Sequence, residues 1–123
     1  ADTALEELKT HDLVYIHVEA PDECGHQGNT ADKIKAIENI DEYILRPVMK
    51  ELERRGEHFR LLLLPDHPTP IALRTHVREP IPFVIYDSED HPQSGVPSYF
   101  DHSGDNGVFV EDGDKLIDML IRK

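Results

Sequence analysis

The sequence predicts an α/β chain built on a mostly parallel sheet, and three observations predict it. Leu13–Val18, Phe59–Leu64 and Ile81–Tyr86 are short, nearly continuous apolar stretches that end at Pro or Asp or just before them, as strands buried on both faces do. Between the first two, Ile34, Ile37, Ile40, Ile44, Val48 and Leu52 recur near the helical period, with Glu and Lys on the other face. Finally, 123 residues suit one domain or part of one and leave no room for two independent cores. The long helix then serves as the crossover between parallel strands. Three strands make a narrow sheet for such an architecture, which suggests neighbours outside the chain.

In chain order, Thr3-Ala4-Leu5-Glu6 has the pattern of a capping box, and Leu5 and Leu8 share a face, so a helix runs to about Lys9. The first strand follows and is broken by Pro21 and Gly25, leaving Glu19–His26 as an irregular segment. Asn29 and Thr30 offer N-caps for the helix from about Ala31 to Arg55. Pro47 should kink or divide it, and Gly56 should stop it. Four consecutive leucines, Leu61 to Leu64, favour a central position for the second strand. Residues 88–112, rich in Gly, Pro, Ser and Asp, read as loop, and Leu116, Ile117, Leu120 and Ile121 line one face of a last helix.

The formal net charge is −12, so nonspecific binding to nucleic acid or anionic lipid is not expected. No apolar run approaches the roughly 20 residues a membrane helix needs. A single cysteine precludes an intrachain disulfide framework and fits a reducing cytoplasm, where we expect the protein to reside. The first residues, Ala1-Asp2-Thr3, do not resemble a signal peptide and include no initiator Met, so a longer gene product is expected.

Eight histidines on an acidic chain make metal binding the first chemistry to test. In open α/β sheets ligands bind beyond the carboxyl ends of the strands. The first predicted strand runs into Asp22 and His26, the second into Asp66 and His67, and His76 lies nine residues past His67. Adjacent strands would bring these side chains to one sheet edge, where carboxylate oxygen and imidazole nitrogen suit a divalent ion. Each fragment has a blander reading: Asp-x-x-x-His is common, and Asp-His after a strand also serves as a cap and a backbone partner. Cys24 reads as an incidental thiol and His17 as a core histidine inside a strand, while His11, His58, His91 and His102 are assigned nothing. No Gly-rich phosphate loop and no Gly-x-Ser-x-Gly elbow is present.

The ordered series Val18–His26, Lys35–Asp41, Leu64–Pro70, Arg74-Thr75-His76 and Pro80–Phe83 closely resembles the C-terminal part of the archaeal-type cofactor-independent phosphoglycerate mutases, metalloenzymes of the alkaline phosphatase superfamily. The likeness runs from about Leu5 to Ile121. It implies that residues 1–123 are a single unit, the C-terminal part of a larger catalytic domain, carrying a partial piece of a three-layer, alkaline-phosphatase-like sheet. It further implies two divalent ions (Mn, Zn, Mg or Co), one held by Asp22, His26 and His76 and the other in part by Asp66 and His67, with a small phosphorylated substrate.

In that family the substrate phosphate passes to an enzyme Ser or Thr and then to the other hydroxyl of bound glycerate. The nucleophile lies in the N-terminal portion, which has no counterpart here. The chain alone is therefore expected to be inactive, to bind at most weakly at the half-complete second site, and to need that N-terminal portion as partner or to self-associate. Another phosphatase or phosphotransferase of the superfamily, or a non-catalytic metal-binding module, remains an open alternative at this point.

Overall fold

A computed structural model describes residues 1–93 and 95–121. The chain divides into two compact units, Ala1–Glu57 with Thr69–Val77, and His58–Pro68 with Arg78–Lys123.

The first unit is helical: α1 (Asp2–Glu7), α2 (Ala20–Gln27), α3 (Thr30–Ile40) and α4 (Arg46–Arg55). The opening helix forms without the expected capping box, since its N-cap is Ala1 and no side chain caps it. Asn29 does cap α3, its side-chain oxygen accepting the Asp32 N–H at 3.1 Å. The expected effect of Pro47 is realised one turn early. Residues Asp41–Leu45 form a π-helical turn in which the Arg46 N–H reaches back to the Asp41 carbonyl. A wide turn of this kind accommodates a proline ring that would otherwise meet the carbonyl four residues before it. Gly56, at φ 68°, ends α4 in the left-handed conformation that costs glycine least.

Packing in this unit is uneven along the predicted stripe. Val48 and Leu52 are buried, as is Ala4 on α1, which packs against α4. Arg55 Nη1 donates to the Leu5 carbonyl at 3.3 Å across the same contact. Ile34 and Ile37, on the same stripe three to four turns before Val48, remain 54% and 51% exposed.

Two expectations are corrected in this unit. Residues 13–18 form no strand, and Leu13, Tyr15, Ile16 and Val18 are exposed, Tyr15 at 78%. A strand needs a neighbour to satisfy its backbone, and among the described residues none pairs with this segment. His17 accordingly is no core histidine: it lies exposed and stacks on Tyr15. The segment expected to be irregular, around Pro21 and Gly25, is the helix α2. Pro21 sits in its first turn, where the missing N–H is an orphan in any case.

The second unit contains β1 (Arg60–Leu63), β2 (Val84–Asp87) and α5 (Lys115–Ile121). The strands fall within or beside their predicted spans but pair antiparallel, Arg60 opposite Asp87 and Leu63 opposite Val84. The expected three-stranded parallel piece is thus, among the described residues, a two-stranded antiparallel sheet. A parallel arrangement would have needed residues 13–18 as the strand before the crossover. Helix α5, whose Leu116 is buried, packs on β1, and Arg60 Nη1 donates to the Leu120 carbonyl at 2.6 Å. Asp87 accepts His58 Nε2 at 2.8 Å and pairs with Arg60 Nε at 3.2 Å. The Glu89 backbone N–H first, and His58 second, hold its carboxyl below the usual range. Residues 88–112 carry no helix or strand among those described, as expected. No helix of the described residues is long and apolar enough to cross a membrane.

Candidate metal centre

Helix α2 makes the first half of the centre. Asp22 and His26 stand four residues apart and therefore share one helical face. Cys24, two residues from each, turns away from that face and lines a shallow apolar groove with Val18, Asn39 and Tyr43. Gly28, at φ 70°, ends the helix in the left-handed region.

The other half comes from residues 69–77. Thr69 is the buried polar residue of the unit, 5% exposed. It presses onto α2 at Gly25, where a β-carbon would stand 2.7 Å from the Thr69 carbonyl oxygen and 2.9 Å from its Cγ2. Lys33 Nζ donates to the same carbonyl at 2.7 Å, tying the loop to α3. The N–H groups of Leu73 and Arg74 then both donate to the Pro70 carbonyl, closing one helical turn. Arg74 follows at φ 54°, a conformation uncommon outside glycine, and reverses the chain toward His76. Its guanidinium occupies the space that a β-carbon on Gly28 would fill.

Three donors converge as a result. His26 Nε2 lies 3.1 Å from His76 Nε2 and 3.4 Å from Asp22 Oδ2, and His76 Nε2 lies 3.3 Å from Asp22 Oδ1. The carboxylate turns one oxygen to each ring, and one donor atom from each of the three residues lies within 4.8 Å of the others, a cluster of the size that could hold one divalent ion. The tautomer agrees. His26 Nδ1 is 3.0 Å from the Arg74 carbonyl, which can only accept, so Nδ1 carries the hydrogen and a neutral His26 presents a lone pair at Nε2. All three side chains are partly exposed, which leaves the centre reachable from solvent.

Of the five residues that the sequence singled out, Asp22, His26 and His76 meet. Asp66 and His67 belong to the second unit and face each other: the His67 N–H donates to Asp66 Oδ1 at 3.0 Å, and His67 Nε2 is 3.2 Å from Asp66 Oδ2. Thr69, Gly25, Lys33 and the Arg74 carbonyl were not legible beforehand. Thr69 sits in the singled-out run Pro65–Pro70, but its partner Asp22 is 47 residues away.

A family model described as the metalloenzyme superfamily matches residues 1–118. The chain is 47% identical over 99% of its length to a 2,3-bisphosphoglycerate-independent phosphoglycerate mutase of Methanosarcina acetivorans, of which it covers 31%. It is 48% identical over 96% of its length to the protein of that name from Methanothrix thermoacetophila, covering 30% of it. To the one from Metallosphaera sedula it is 33% identical over 98% of its length, covering 28%. The chain thus spans about a third of the length of the curated relatives it matches. No solved structure matches it significantly.

Proposed function

Because the chain belongs to the metalloenzyme superfamily, we propose that it is the C-terminal part of the catalytic domain of a metal-dependent phosphoglycerate mutase, acting on 3- and 2-phosphoglycerate in the cytoplasm. The single observation that carries this reading is the donor triangle with the Nδ1–H of His26 committed to the Arg74 carbonyl, because that arrangement presents the ligating form of the imidazole. Asp22, His26 and His76 would hold one divalent ion; Asp66 and His67, adjacent and past the end of β1, would supply part of a second site. Candidate ions are Mn, Zn, Mg and Co; two imidazoles and one carboxylate suit Zn and Co better than Mn, and suit Mg, which prefers oxygen, least.

Such an ion supplies positive charge beside a phosphoryl group and its leaving and attacking oxygens. The residues themselves do the holding. At a net charge of −12 the chain repels a phosphomonoester, so its carboxylates serve the substrate only after a cation has been gathered by them. The Ser or Thr hydroxyl that takes up the phosphate belongs to the remaining two-thirds of such an enzyme, and so does the surface that covers Leu13–Val18, Ile34 and Ile37. Leu13, Tyr15, Ile16, Val18, Ile34 and Ile37 belong to stretches whose pattern reads as buried, yet they stand exposed.

The test uses the full-length protein. Turnover of 3-phosphoglycerate should vanish on chelation, return with added Mn²⁺ or Zn²⁺, and be lost when Asp66 and His67 are both replaced by Ala. Undiminished turnover in the chelated protein or in the double variant would overturn the reading. Imidazole must be neutral to ligate, so calorimetric titration of the chain with Zn²⁺ should weaken by roughly tenfold or more between about pH 7.5 and about pH 5.5. An affinity indifferent to acid would remove the histidines from the centre.

A further inference from the structure

We propose that Thr69 is a positioning residue for the metal centre: its hydroxyl fixes the rotation of the Asp22 carboxylate so that the carboxylate and the two imidazoles face one point. The inference rests on the reading of Asp22, His26 and His76 as metal ligands. The Thr69 hydroxyl donates to Asp22 Oδ1 in a short hydrogen bond between two residues 47 apart in the chain.

Asp22 needs such a restraint. It is the third residue of α2, and a carboxylate at that position has a local alternative, folding back onto the N-cap N–H as the acidic member of a capping box does. Rotated that way, it would leave the two imidazoles without their anionic third donor. A hydroxyl arriving from the side of loop 69–77 holds the carboxylate out over the helix face that carries His26.

Thr69 is suited to this by being immobile. Its χ1 is restricted by β-branching, it is 5% exposed, and it is gripped on both sides of its hydroxyl. Its carbonyl takes the Lys33 ammonium at 2.7 Å, and both that carbonyl and its methyl lie against Gly25, one helical turn between Asp22 and His26. The same contact that delivers His76 to the centre therefore also sets Asp22. Loss of outer partners of this type typically lowers metal affinity 10- to 100-fold.

The experiment is Zn²⁺ titration of this chain as wild type, Thr69→Val, Thr69→Ala and Thr69→Ser, with the metal-free unfolding midpoint of each. Valine keeps the shape and removes the hydroxyl; serine keeps the hydroxyl. We expect Thr69→Val to bind about 10- to 100-fold more weakly and Thr69→Ser to stay within about threefold of wild type, which a purely packing role would not produce. If the valine variant does not fold, Thr69→Ala carries the comparison and must show the same loss against serine. Binding by the hydroxyl-free variant within about twofold of wild type, or serine as weak as alanine, overturns the inference while leaving the metal centre standing. A wild-type chain that binds no Zn²⁺ overturns both.

Discussion

His26→Ala is expected to lower the affinity of this chain for Zn²⁺ at least about 100-fold, more than loss of any outer partner. The substitution removes the one donor whose tautomer is already set for ligation, leaving Asp22 and His76 as a two-donor site in water. The fold should tolerate the change. The ring is partly exposed, and the bond it surrenders is to the Arg74 carbonyl on a loop that two other anchors, Lys33 and the Gly25 contact, continue to hold. His102, an exposed histidine paired with Asp105 in the other unit, provides the control: His102→Ala should bind as wild type does. Calorimetric titration checks both. If the His26 variant retains affinity within about tenfold of wild type, the triangle of donors is a hydrogen-bonded cluster and no metal centre.

The second large effect is expected at Gly25→Ala, and its sign is the informative part. In an exposed helix interior the change would gain up to about 1 kcal/mol from helix propensity. Here the new methyl would stand 2.7 Å from the Thr69 carbonyl oxygen, 2.9 Å from Thr69 Cγ2 and 3.0 Å from Lys33 Nζ. The ammonium can move, but the backbone carbonyl moves only if the loop does. Overpacking of this kind costs about 1–3 kcal/mol, so the clash outweighs the propensity gain and the variant should unfold at a lower temperature than wild type. The displaced loop also carries His76 away from α2, so Zn²⁺ affinity should fall by roughly tenfold or more in the same variant. Thermal unfolding of the metal-free chain and metal titration read the two effects separately. A raised melting temperature with unaltered binding would show that residues 69–77 do not pack where the structure has them.

Both predictions concern contacts that no local pattern announces, and the same division runs through the fold. Helix signals were legible for α3 and α4, because a helix satisfies its own backbone within a few residues: Asn29 caps α3, Gly56 ends α4 in a left-handed turn, and Pro47 disturbs the helix one turn before itself. They misled at α2, where Pro21 and Gly25 read as breakers yet stand inside a helix. Strand signals were half legible. The leucines after Arg60 do form β1, and the segment after Pro82 forms β2. Leu13–Val18, as strongly patterned as either, forms no strand because no neighbour among the described residues pairs with its backbone. Direction was not legible, since apolar continuity reports burial on two faces and not which neighbour supplies it.

The sequence by itself determined the chemistry on offer: carboxylates and imidazoles in Asp22, His26, Asp66, His67 and His76, on an acidic chain with one thiol. Residue type sets donor identity, and i to i+4 spacing on a helix suffices to put Asp22 beside His26. Only the tertiary structure decided that His76 meets His26 from 50 residues away, that the Arg74 carbonyl commits one ring nitrogen, and that Thr69 engages Asp22. Those pairings depend on a glycine small enough to let a loop settle on a helix, and close approach between distant segments is a property of packed volume that leaves no period in the chain.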